Sequence, residues 1–472
     1  MTQSSSDRVV EGMRHLIDSL PAGAQLPPTR ALTGEYGVGP ATVQRAVRRL
    51  VTMGLVESRP GAGNFVRSRR IPRPVDFSWQ TSVLAAVEHR PTGFSATQRV
   101  AGPEEIAMHS AYPMPELLPQ SLLCAAFGRA ARSAAATALT PTAGLPELQE
   151  WFAAEQAAGA AAGSTASTAP SARDVLIVAG SQGGLRAVFR SVVGTGGPLV
   201  IESPSYWGAI TLAAHEGIRL VPVSTGPQGP DPEAVARALD ATGARAFYTQ
   251  PTFSNPLGGQ WSPERAEAIL DIVRRRGAFL IEDDWAFDLG IDADPRPLAG
   301  LDDAGHVIRL RSLTKSVSPA LRVAAVIARG PVRERLFTDR AVETMYVSGL
   351  LQAAAVDVVT RPGWRVHLKE LRRQLRARRD LLLDALTHYA PEVRVESPPV
   401  GGLHLWARLP EGAEARALVR DAAAQGVLVA AGDEWFPAEP SGPHLRLNFT
   451  GTAPDRFPQA ASVLGEVLRA QR

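Results

Sequence analysis

Arg309-Leu-Arg-Ser-Leu-Thr-Lys-Ser-Val-Ser-Pro-Ala-Leu-Arg322 is the stretch on which the interpretation of the whole chain depends, because it holds one of only two lysines. Of the 50 lysine and arginine residues, only Lys315 and Lys369 are lysine. Arginine keeps its proton in proteins, whereas a desolvated lysine can act as a nucleophilic amine and form a Schiff base. Lys369 lies in a charged helical run and is predicted to be solvated. Lys315 is therefore either the reactive group of a site or a surface lysine in a loop, and its surroundings decide between the two.

The overall composition is that of a large globular protein. The chain has 472 residues, of which 45% are hydrophobic, so it can form about three domain-sized units, or one small and one large domain. It contains neither an apolar run of membrane-spanning length nor a charged-then-apolar leader. Cys124 is the only cysteine, which excludes an intramolecular disulfide and a metal-thiolate cluster. We expect no metal and a reducing, cytoplasmic location.

Positive charge is concentrated at the N-terminus. Residues 1–73 carry eleven arginines and five acidic residues, a net charge of +6, whereas the whole chain has a net charge of +3. The remainder is therefore mildly acidic. A small basic region on an acidic body predicts a polyanionic partner such as double-stranded DNA for the basic region alone.

The basic region predicts three helices followed by a hairpin. Apolar residues at helical spacing cover Asp7–Leu20 and Ala41–Met53, and a short helix covers Pro28–Tyr36. Gly54–Val66 predicts two strands around a Gly/Pro turn that carries Arg59. This order is the winged helix-turn-helix plan, whose third helix enters the major groove and whose wing contacts the DNA backbone or minor groove. The predicted third helix leaves five side chains outside: Thr42, Gln44, Arg45, Arg48 and Arg49.

The N-terminal region resembles the GntR-type winged helix. The resemblance lies in Gln25–Leu32 and Val38–Val56 and covers nearly all of residues 8–66. Gly39-Pro40 stands where the family usually has Ser-Arg, so one expected DNA contact is missing. Four DNA-binding candidates remain: Arg30, Thr42, Arg45 and Arg59. The alternative for this region is a generic three-helix bundle with solvated arginines.

A linker is predicted to separate the two parts of the chain. We place a DNA-binding domain at residues 1–73, a linker at residues 74–103 with one helix near Trp79–His89, and a large domain at residues 104–472. Ala153–Ala172 is rich in alanine, glycine, serine and threonine, and we expect it to be a frayed helix end followed by a surface loop.

The large domain alternates short apolar runs with helical patterns. Seven predicted strands begin at Val175, Leu199, Leu220, Ala246, Ala278, Val307 and Val323. This alternation predicts an α/β fold with a mostly parallel sheet wrapped by helices. Ligands of such sheets bind at the carboxyl ends of the strands.

Polar and aromatic residues follow these predicted strands. Gly180–Gly184 offers backbone N–H groups at the start of a helix to a phosphate. Tyr206 places an aromatic ring where a flat ligand can stack, and Asn255, Asp283 and Lys315 follow three further strands. A site for pyridoxal 5'-phosphate requires such a set: a lysine for a Schiff base, a carboxylate for the pyridine nitrogen, a donor for the ring oxygen and a phosphate cradle.

The large domain resembles the fold-type I, class I/II aminotransferases, and with its N-terminal domain the whole chain resembles the MocR subfamily of GntR-type regulators. The resemblance implies that Lys315 forms the Schiff base with pyridoxal phosphate, that Asp283 holds the pyridine nitrogen and that Asn255 donates to the ring oxygen. It implies that Tyr206 stacks on the ring and that Arg446 binds a ligand carboxylate. It assigns the phosphate to four residues: Ser181, Gln182, Ser312 and Arg322.

Three residues depart from the family pattern. Trp285 stands where a tyrosine usually contacts the ring oxygen, and Leu139 where a tyrosine usually reaches the partner subunit's cofactor phosphate. Gln149 replaces a usual arginine. These departures argue against efficient transamination and favour a sensing role.

The residues and the resemblance together predict a cytoplasmic transcription regulator. Its N-terminal domain would bind an operator, and its large domain would bind pyridoxal phosphate and sense it or an amino-bearing effector. We expect a homodimer, because the resemblance implies cofactor sites at a subunit interface. Two alternatives stay open: an active pyridoxal-phosphate-dependent aminotransferase with a DNA-binding domain, and a cofactor-free structural dimeriser.

Overall fold

The computed structural model describes residues 5–67, 96–158 and 169–471. The chain forms two compact units, Met1–Arg90 and Pro91–Arg472. The helix predicted near Trp79–His89 and the loop predicted within Ala153–Ala172 lie largely outside the described residues. No helix in the described ranges is long and apolar enough to cross a membrane.

In its described residues, 5–67, the first unit is three helices and a hairpin, as predicted. Its elements are α1 (Ser5–Ser19), α2 (Thr29–Tyr36), α3 (Pro40–Thr52), β1 (Val56–Arg59) and β2 (Gly63–Val66). Gly37 ends α2 in the left-handed conformation that glycine adopts without strain. Pro40 begins α3, where its fixed φ suits the first helical turn and its missing N–H costs no hydrogen bond. The two strands pair antiparallel.

One apolar cluster holds the first unit together. Val43, Ala46 and Leu50 of α3 are fully buried against Met13 of α1 and Leu32 of α2. Burying each larger side chain of this kind contributes about 1.5–3 kcal/mol. The apolar positions recur at helical spacing, so the opposite face of α3 carries its arginines into solvent.

The second unit is built on a seven-stranded sheet. Its strand order is β4-β10-β9-β8-β7-β5-β6, and only β10 runs antiparallel to its neighbours. The bounds are β4 (Val175–Val178), β5 (Pro198–Ser203), β6 (Arg219–Ser224), β7 (Ala246–Thr249), β8 (Phe279–Asp284), β9 (Val307–Ser312) and β10 (Ala324–Ile327). The mostly parallel sheet predicted from the sequence is confirmed.

Strands β8 and β9 run further than their apolar residues indicate. The sequence placed Asp283 and Ser312 in loops after the strands, but both lie in the ladder, where Asp283 pairs with Leu310 and Asp284 with Arg311. The polar ends remain in the sheet because the buried charges are paired. Arg309 donates to Asp284 at 2.6 Å, with neither side chain exposed.

Helices cover both faces of this sheet. Leu176 and Val178 of β4 pack into one apolar cluster, whereas Val175 and Ile177 pack into another on the opposite face. The helices of this unit are α4 (Gln120–Ala130), α5 (Pro146–Ala158), α6 (Ser181–Val188), α7 (Trp207–His215), α8 (Pro232–Thr242), α9 (Pro263–Arg275), α10 (Pro331–Thr344), α11 (Gly349–Thr360), α12 (Pro362–Tyr389), α13 (Ala415–Ala424) and α14 (Phe457–Ala470). The packing is the three-layer arrangement expected of a parallel sheet.

A smaller sheet forms the C-terminal part of the second unit. It contains β11 (His404–Arg408), β14 (His444–Asn448) and β13 (Ala430–Ala431) in that order, and β12 (Val427–Leu428) pairs with β3 (Ile106–Ala107). Leu405 and Leu447 face an apolar core. Because side chains alternate along a strand, their neighbours His404 and Arg446 share the other face.

Candidate functional site

The predicted site residues converge at the carboxyl ends of the parallel strands. Ser181 follows β4, Tyr206 follows β5, Asn255 follows β7, Asp283 lies near the end of β8 and Lys315 follows β9. Adjacent strands bring these ends to one edge of the sheet. This edge is where open α/β sheets bind ligands.

Asp283 is a buried carboxylate with one oxygen left over. Its Oδ2 accepts hydrogen bonds from Tyr248 Oη and Gln250 Nε2, each at 2.8 Å. Its Oδ1 is buried and has no hydrogen-bond partner within the described parts of the chain. Burial raises the pKa of Asp283 to about 6. A protonated ring nitrogen at Oδ1 would satisfy this atom and lower that pKa.

Lys315 is partly buried, and its amine is easily deprotonated. Its Nζ lies 3.4 Å from the centre of the Tyr112 ring. Burial lowers the pKa of Lys315 to about 7, with Arg446 and Arg322 lowering it further and Asp283 opposing them. A large share of this amine is therefore neutral and nucleophilic at neutral pH.

An anion cradle lies at the start of α6. Gly180 has φ +81, and a Cβ there would lie 2.7 Å from Nη2 of Arg322, so only glycine leaves room for the guanidinium. The hydroxyl of Ser181, at the first helical position, is buried and none of the described residues bonds to it. Ser312 lies three residues before Lys315 in the chain and is buried. Its Oγ accepts a hydrogen bond from the Thr314 backbone N–H at 3.2 Å. Backbone N–H groups at a helix start, a guanidinium and a free hydroxyl suit a phosphate.

Gln182 and Tyr206 bond to each other. Tyr206 Oη donates to Gln182 Oε1 at 3.3 Å, and Gln182 Nε2 donates to the Gly208 carbonyl at 3.0 Å. A Cβ at Gly208 would lie 2.4 Å from the Tyr206 ring. The Gln182 side chain thus orients Tyr206, a role that the sequence did not predict.

Asn255 is held so that its amide nitrogen is left to donate. Its Oδ1 accepts from Trp435 Nε1 at 3.1 Å and from Arg446 Nη1 at 3.4 Å. Its backbone N–H donates to Gln250 Oε1 at 2.9 Å. With the oxygen occupied by two donors, Nδ2 is the atom available to a ligand, as expected for a donor to a ring oxygen.

Arg446 is fully buried and only partly satisfied. Its Nη2 donates to the His109 carbonyl at 2.6 Å, and its guanidinium lies 4.4 Å from the centre of the Trp435 ring. Its Nε has no hydrogen-bond partner in residues 5–67, 96–158 and 169–471, and burial lowers the pKa of Arg446 to about 9. A buried cation of this kind favours an anionic ligand group.

A set of charged side chains holds Ser316, the residue that follows Lys315. Ser316 donates to Asp288 at 2.6 Å, and Asp288 accepts from Arg311 at 2.8 Å. Arg311 also donates to Glu155 at 2.9 and 3.0 Å. These buried pairs connect the residue after Lys315 to strand β9 and helix α5.

The three departures from the family pattern occupy distinct environments. Trp285 is buried, and its indole nitrogen has no hydrogen-bond partner in the part of the chain that the structure describes. Gln149 is buried and donates to the Val175 carbonyl at 2.6 Å, so it serves the packing of α5 on the sheet. Leu139 is 82% exposed, an unusual setting for a large apolar side chain.

The DNA-binding candidates lie in the first unit. Arg30 and Arg45 are exposed, and Thr42 is half-buried at the start of α3. Arg59, in the hairpin, is an ion-pair partner of Glu57 at 3.1 Å and stacks 4.6 Å from the centre of the Phe65 ring. Its guanidinium is therefore held on the hairpin surface.

Several site residues have no signal in the sequence that would have identified them. Gln250, Tyr112, Trp435 and His404 all touch or act on the predicted residues. Tyr112, Trp435 and His404 follow no predicted strand and belong to no recognisable motif. Gln250 is the exception in position, because it directly follows β7, where a polar residue after a buried strand is a usable signal.

Comparison with known proteins finds a matching family for each of the two units. The family "Aminotransferase class I and II" matches residues 117–464, and "Bacterial regulatory proteins, gntR family" matches residues 5–66. The HTH-type transcriptional regulator YdfD of Bacillus subtilis is 26% identical over 95% of this chain and 92% of its own length. The probable rhizopine catabolism regulatory protein MocR of Rhizobium meliloti is 29% identical over 87% of this chain and 83% of its own length.

A solved structure has the same fold as the second unit. LysN, an alpha-aminoadipate aminotransferase from Thermus thermophilus complexed with N-(5'-phosphopyridoxyl)-L-leucine, superimposes with a TM-score of 0.72. It is 28% identical and covers 78% of this chain and 93% of its own chain.

Proposed function

Because this chain belongs to the aminotransferase class I and II family and carries a GntR-type helix-turn-helix domain, the combination found in MocR-type regulators, we propose that it binds pyridoxal 5'-phosphate at Lys315 and senses this cofactor or an amino-bearing effector there. The large domain then controls how the N-terminal domain binds DNA. The effector is pyridoxal phosphate itself or an amine that reacts with it.

The second unit carries the groups that the cofactor needs. When bound, pyridoxal phosphate supplies an aldehyde for amines and an electron-withdrawing ring. Lys315 presents a neutral amine, and Asp283 presents an unpartnered oxygen to a ring nitrogen. The Asn255 amide nitrogen would donate to a ring oxygen, and Arg322 and the Ser181 hydroxyl, which adjoin Gly180, would hold the phosphate.

The single observation that carries the proposal is the buried, unpartnered oxygen of Asp283. A buried charged acceptor without a partner costs free energy, about 1–3 kcal/mol or more, and is retained where a ligand completes it. Tyr248 and Gln250 both bond to Oδ2 of this carboxylate and so leave Oδ1 for a ligand. Arg446, buried on the small sheet, would bind a ligand carboxylate.

The proposed assembly is a cytoplasmic homodimer. Residues 1–73 form the DNA-binding domain, residues 74–103 link it to the large domain, and residues 104–472 bind the cofactor. Two DNA-binding domains read two half-sites, because one winged helix contacts too few base pairs for high specificity. The exposed Leu139 is consistent with a subunit interface on the large domain.

The absorption spectrum of the purified full-length protein tests the proposal. We expect a visible band from the lysine-bound cofactor, and we expect an effective amine to change both the band and the affinity for operator DNA. The proposal is contradicted if the protein shows no band after incubation with pyridoxal phosphate. It is also contradicted if amines change the band but none of them changes DNA binding. The cofactor-free dimeriser predicts no band.

The alternative function is a working aminotransferase with a DNA-binding domain. Its support is the 28% identity to LysN over 78% of this chain, together with the lowered pKa of Lys315. Steady formation of 2-oxo acid from an amino donor, over many turnovers, would favour the enzyme. A single-turnover spectral change without continued product formation would favour the sensor.

A further inference from the structure

Trp285 and His404 form a buried polar pair with two unsatisfied nitrogens. Trp285 is 8% exposed and His404 is 2% exposed, and their ring centres are 5.8 Å apart. Trp285 Nε1 and His404 Nε2 are both buried, and neither has a hydrogen-bond partner among the residues that the structure describes. A buried polar atom without a partner destabilises a protein, so two of them on neighbouring rings point to a ligand group that pairs with both.

The pair faces the same site as Lys315 and Arg446. His404 begins β11 opposite Asn448 of β14, which places it on the Arg446 face of the small sheet, away from the apolar core. Both Arg446 and Lys315 act electrostatically on the His404 ring. Trp285 directly follows β8, and its ring packs against the apolar core on one side and lies 5.8 Å from the His404 ring on the other.

The hydrogen-bonding roles of the two nitrogens follow from their surroundings. The Ser110 carbonyl accepts a hydrogen bond from the His404 ring, and because Nε2 has no partner, the donor is Nδ1. Burial, with Arg446 and Lys315, holds the pKa of His404 well below its usual value, so the ring is neutral. His404 Nε2 is therefore an acceptor, whereas the indole N–H of Trp285 can only donate.

We propose that Trp285 and His404 are specificity-determining residues that select an amino-acid effector whose side chain carries a hydroxyl or a carboxamide. This inference rests on the proposed function, in which Arg446 binds the effector's carboxylate and its amine reacts at the Lys315-held cofactor. A hydroxyl or carboxamide accepts from Trp285 and donates to His404. A carboxylate side chain has no proton for His404, an ammonium cannot accept from Trp285, and an alkyl group leaves both nitrogens unpaired.

Matched ligand pairs test the selectivity directly. The full-length protein, loaded with pyridoxal phosphate, is titrated at neutral pH and the dissociation constant is read from the visible band or by calorimetry. Threonine and valine have the same shape, as do asparagine and leucine, and asparagine and aspartate differ only in side-chain charge and donor. We expect threonine to bind at least about tenfold more tightly than valine, or asparagine at least about tenfold more tightly than leucine. Asparagine should also bind more tightly than aspartate by a similar factor. Preferences within threefold in all three pairs would overturn the inference.

Two variants assign the preference to the pair. Trp285→Phe removes the donor and His404→Phe removes the acceptor, and each should reduce the polar-over-apolar preference to within about threefold while the visible band remains. Trp151→Phe, in α5, is the matched control and should keep the full preference. A ligand preference that survives both substitutions contradicts the inference. The inference is also contradicted if Trp285→Phe shifts the band of the ligand-free protein and leaves the ligand preference unchanged.

The same titrations separate this inference from the proposed function. If the unsubstituted protein shows no visible band, the proposed function fails and the selectivity fails with it. If the band is present and amines bind without regard to a hydroxyl or carboxamide, the cofactor site stands and only the role of Trp285 and His404 is refuted.

Discussion

The reaction of the cofactor-free protein with pyridoxal phosphate should show the lowered pKa of Lys315 directly. Only the neutral amine is nucleophilic, and the pKa of Lys315 is about 7 because of burial and the nearby Arg446 and Arg322. Roughly nine-tenths of such an amine is neutral at pH 8 and roughly one-tenth at pH 6, whereas an ordinary lysine with a pKa of about 10.4 loses its neutral fraction hundredfold over the same range. The rate should therefore fall about tenfold from pH 8 to pH 6 and reach a plateau above pH 8.

Stopped-flow absorbance gives this rate at each pH. The reaction of pyridoxal phosphate with a small-molecule lysine analogue, measured over the same range, removes the reagent's own titration. Two variants should move the midpoint in opposite directions. Arg446→Met removes a positive charge that lowers the pKa of Lys315, so the midpoint should rise, and Asp283→Asn removes the charge that raises it, so the midpoint should fall. A rate that keeps rising tenfold per pH unit up to pH 9 would refute the reasoning.

Three further predictions concern the phosphate cradle, the DNA-binding arginines and the assembly. Gly180→Ala places a Cβ 2.7 Å from Arg322 in left-handed backbone, so cofactor affinity measured by spectral titration should fall by about tenfold or more; unchanged affinity would remove Arg322 from the cradle. Arg45→Ala and Arg59→Ala should each weaken binding to a mixed-sequence duplex and reduce the log–log salt slope by roughly one for each phosphate that the arginine neutralises, and slopes equal to the parent's would move the interface elsewhere. Light scattering should find a dimer both for the full chain and without residues 1–73; a monomeric truncated protein beside a dimeric full chain would place the interface in the N-terminal domain.

The sheet edge was predictable because each strand has its own sequence signal. The apolar runs around Val175, Ala246 and Val307 are short and bounded by polar or glycine residues, and all became strands. In a parallel sheet the order of strands along the chain then brings the residues after them together, so Lys315 and Asp283 could be predicted as neighbours without any contact being known.

The rest of the site depends on contacts that no local pattern encodes. Tyr112 lies about two hundred residues from Lys315 in the chain, yet its ring lies 3.4 Å from the lysine nitrogen. Trp435 bonds to Asn255 from a short 3-10 helix that lies 180 residues further along the chain. His404 reaches the site only because β11 pairs with β14. Strand ends were also misplaced where charges pair, since Arg309 and Asp284 keep β8 and β9 in register beyond their apolar residues.

Locating the cofactor on the chain tests the central claim most directly. Borohydride reduction of the pyridoxal-phosphate-loaded full-length protein, followed by peptide mapping, should find the pyridoxyl group on Lys315, and Lys315→Arg should keep the fold and lose both the label and the visible band, because arginine cannot form the bond. The pyridoxyl group on Lys369, or on neither lysine, would contradict the account.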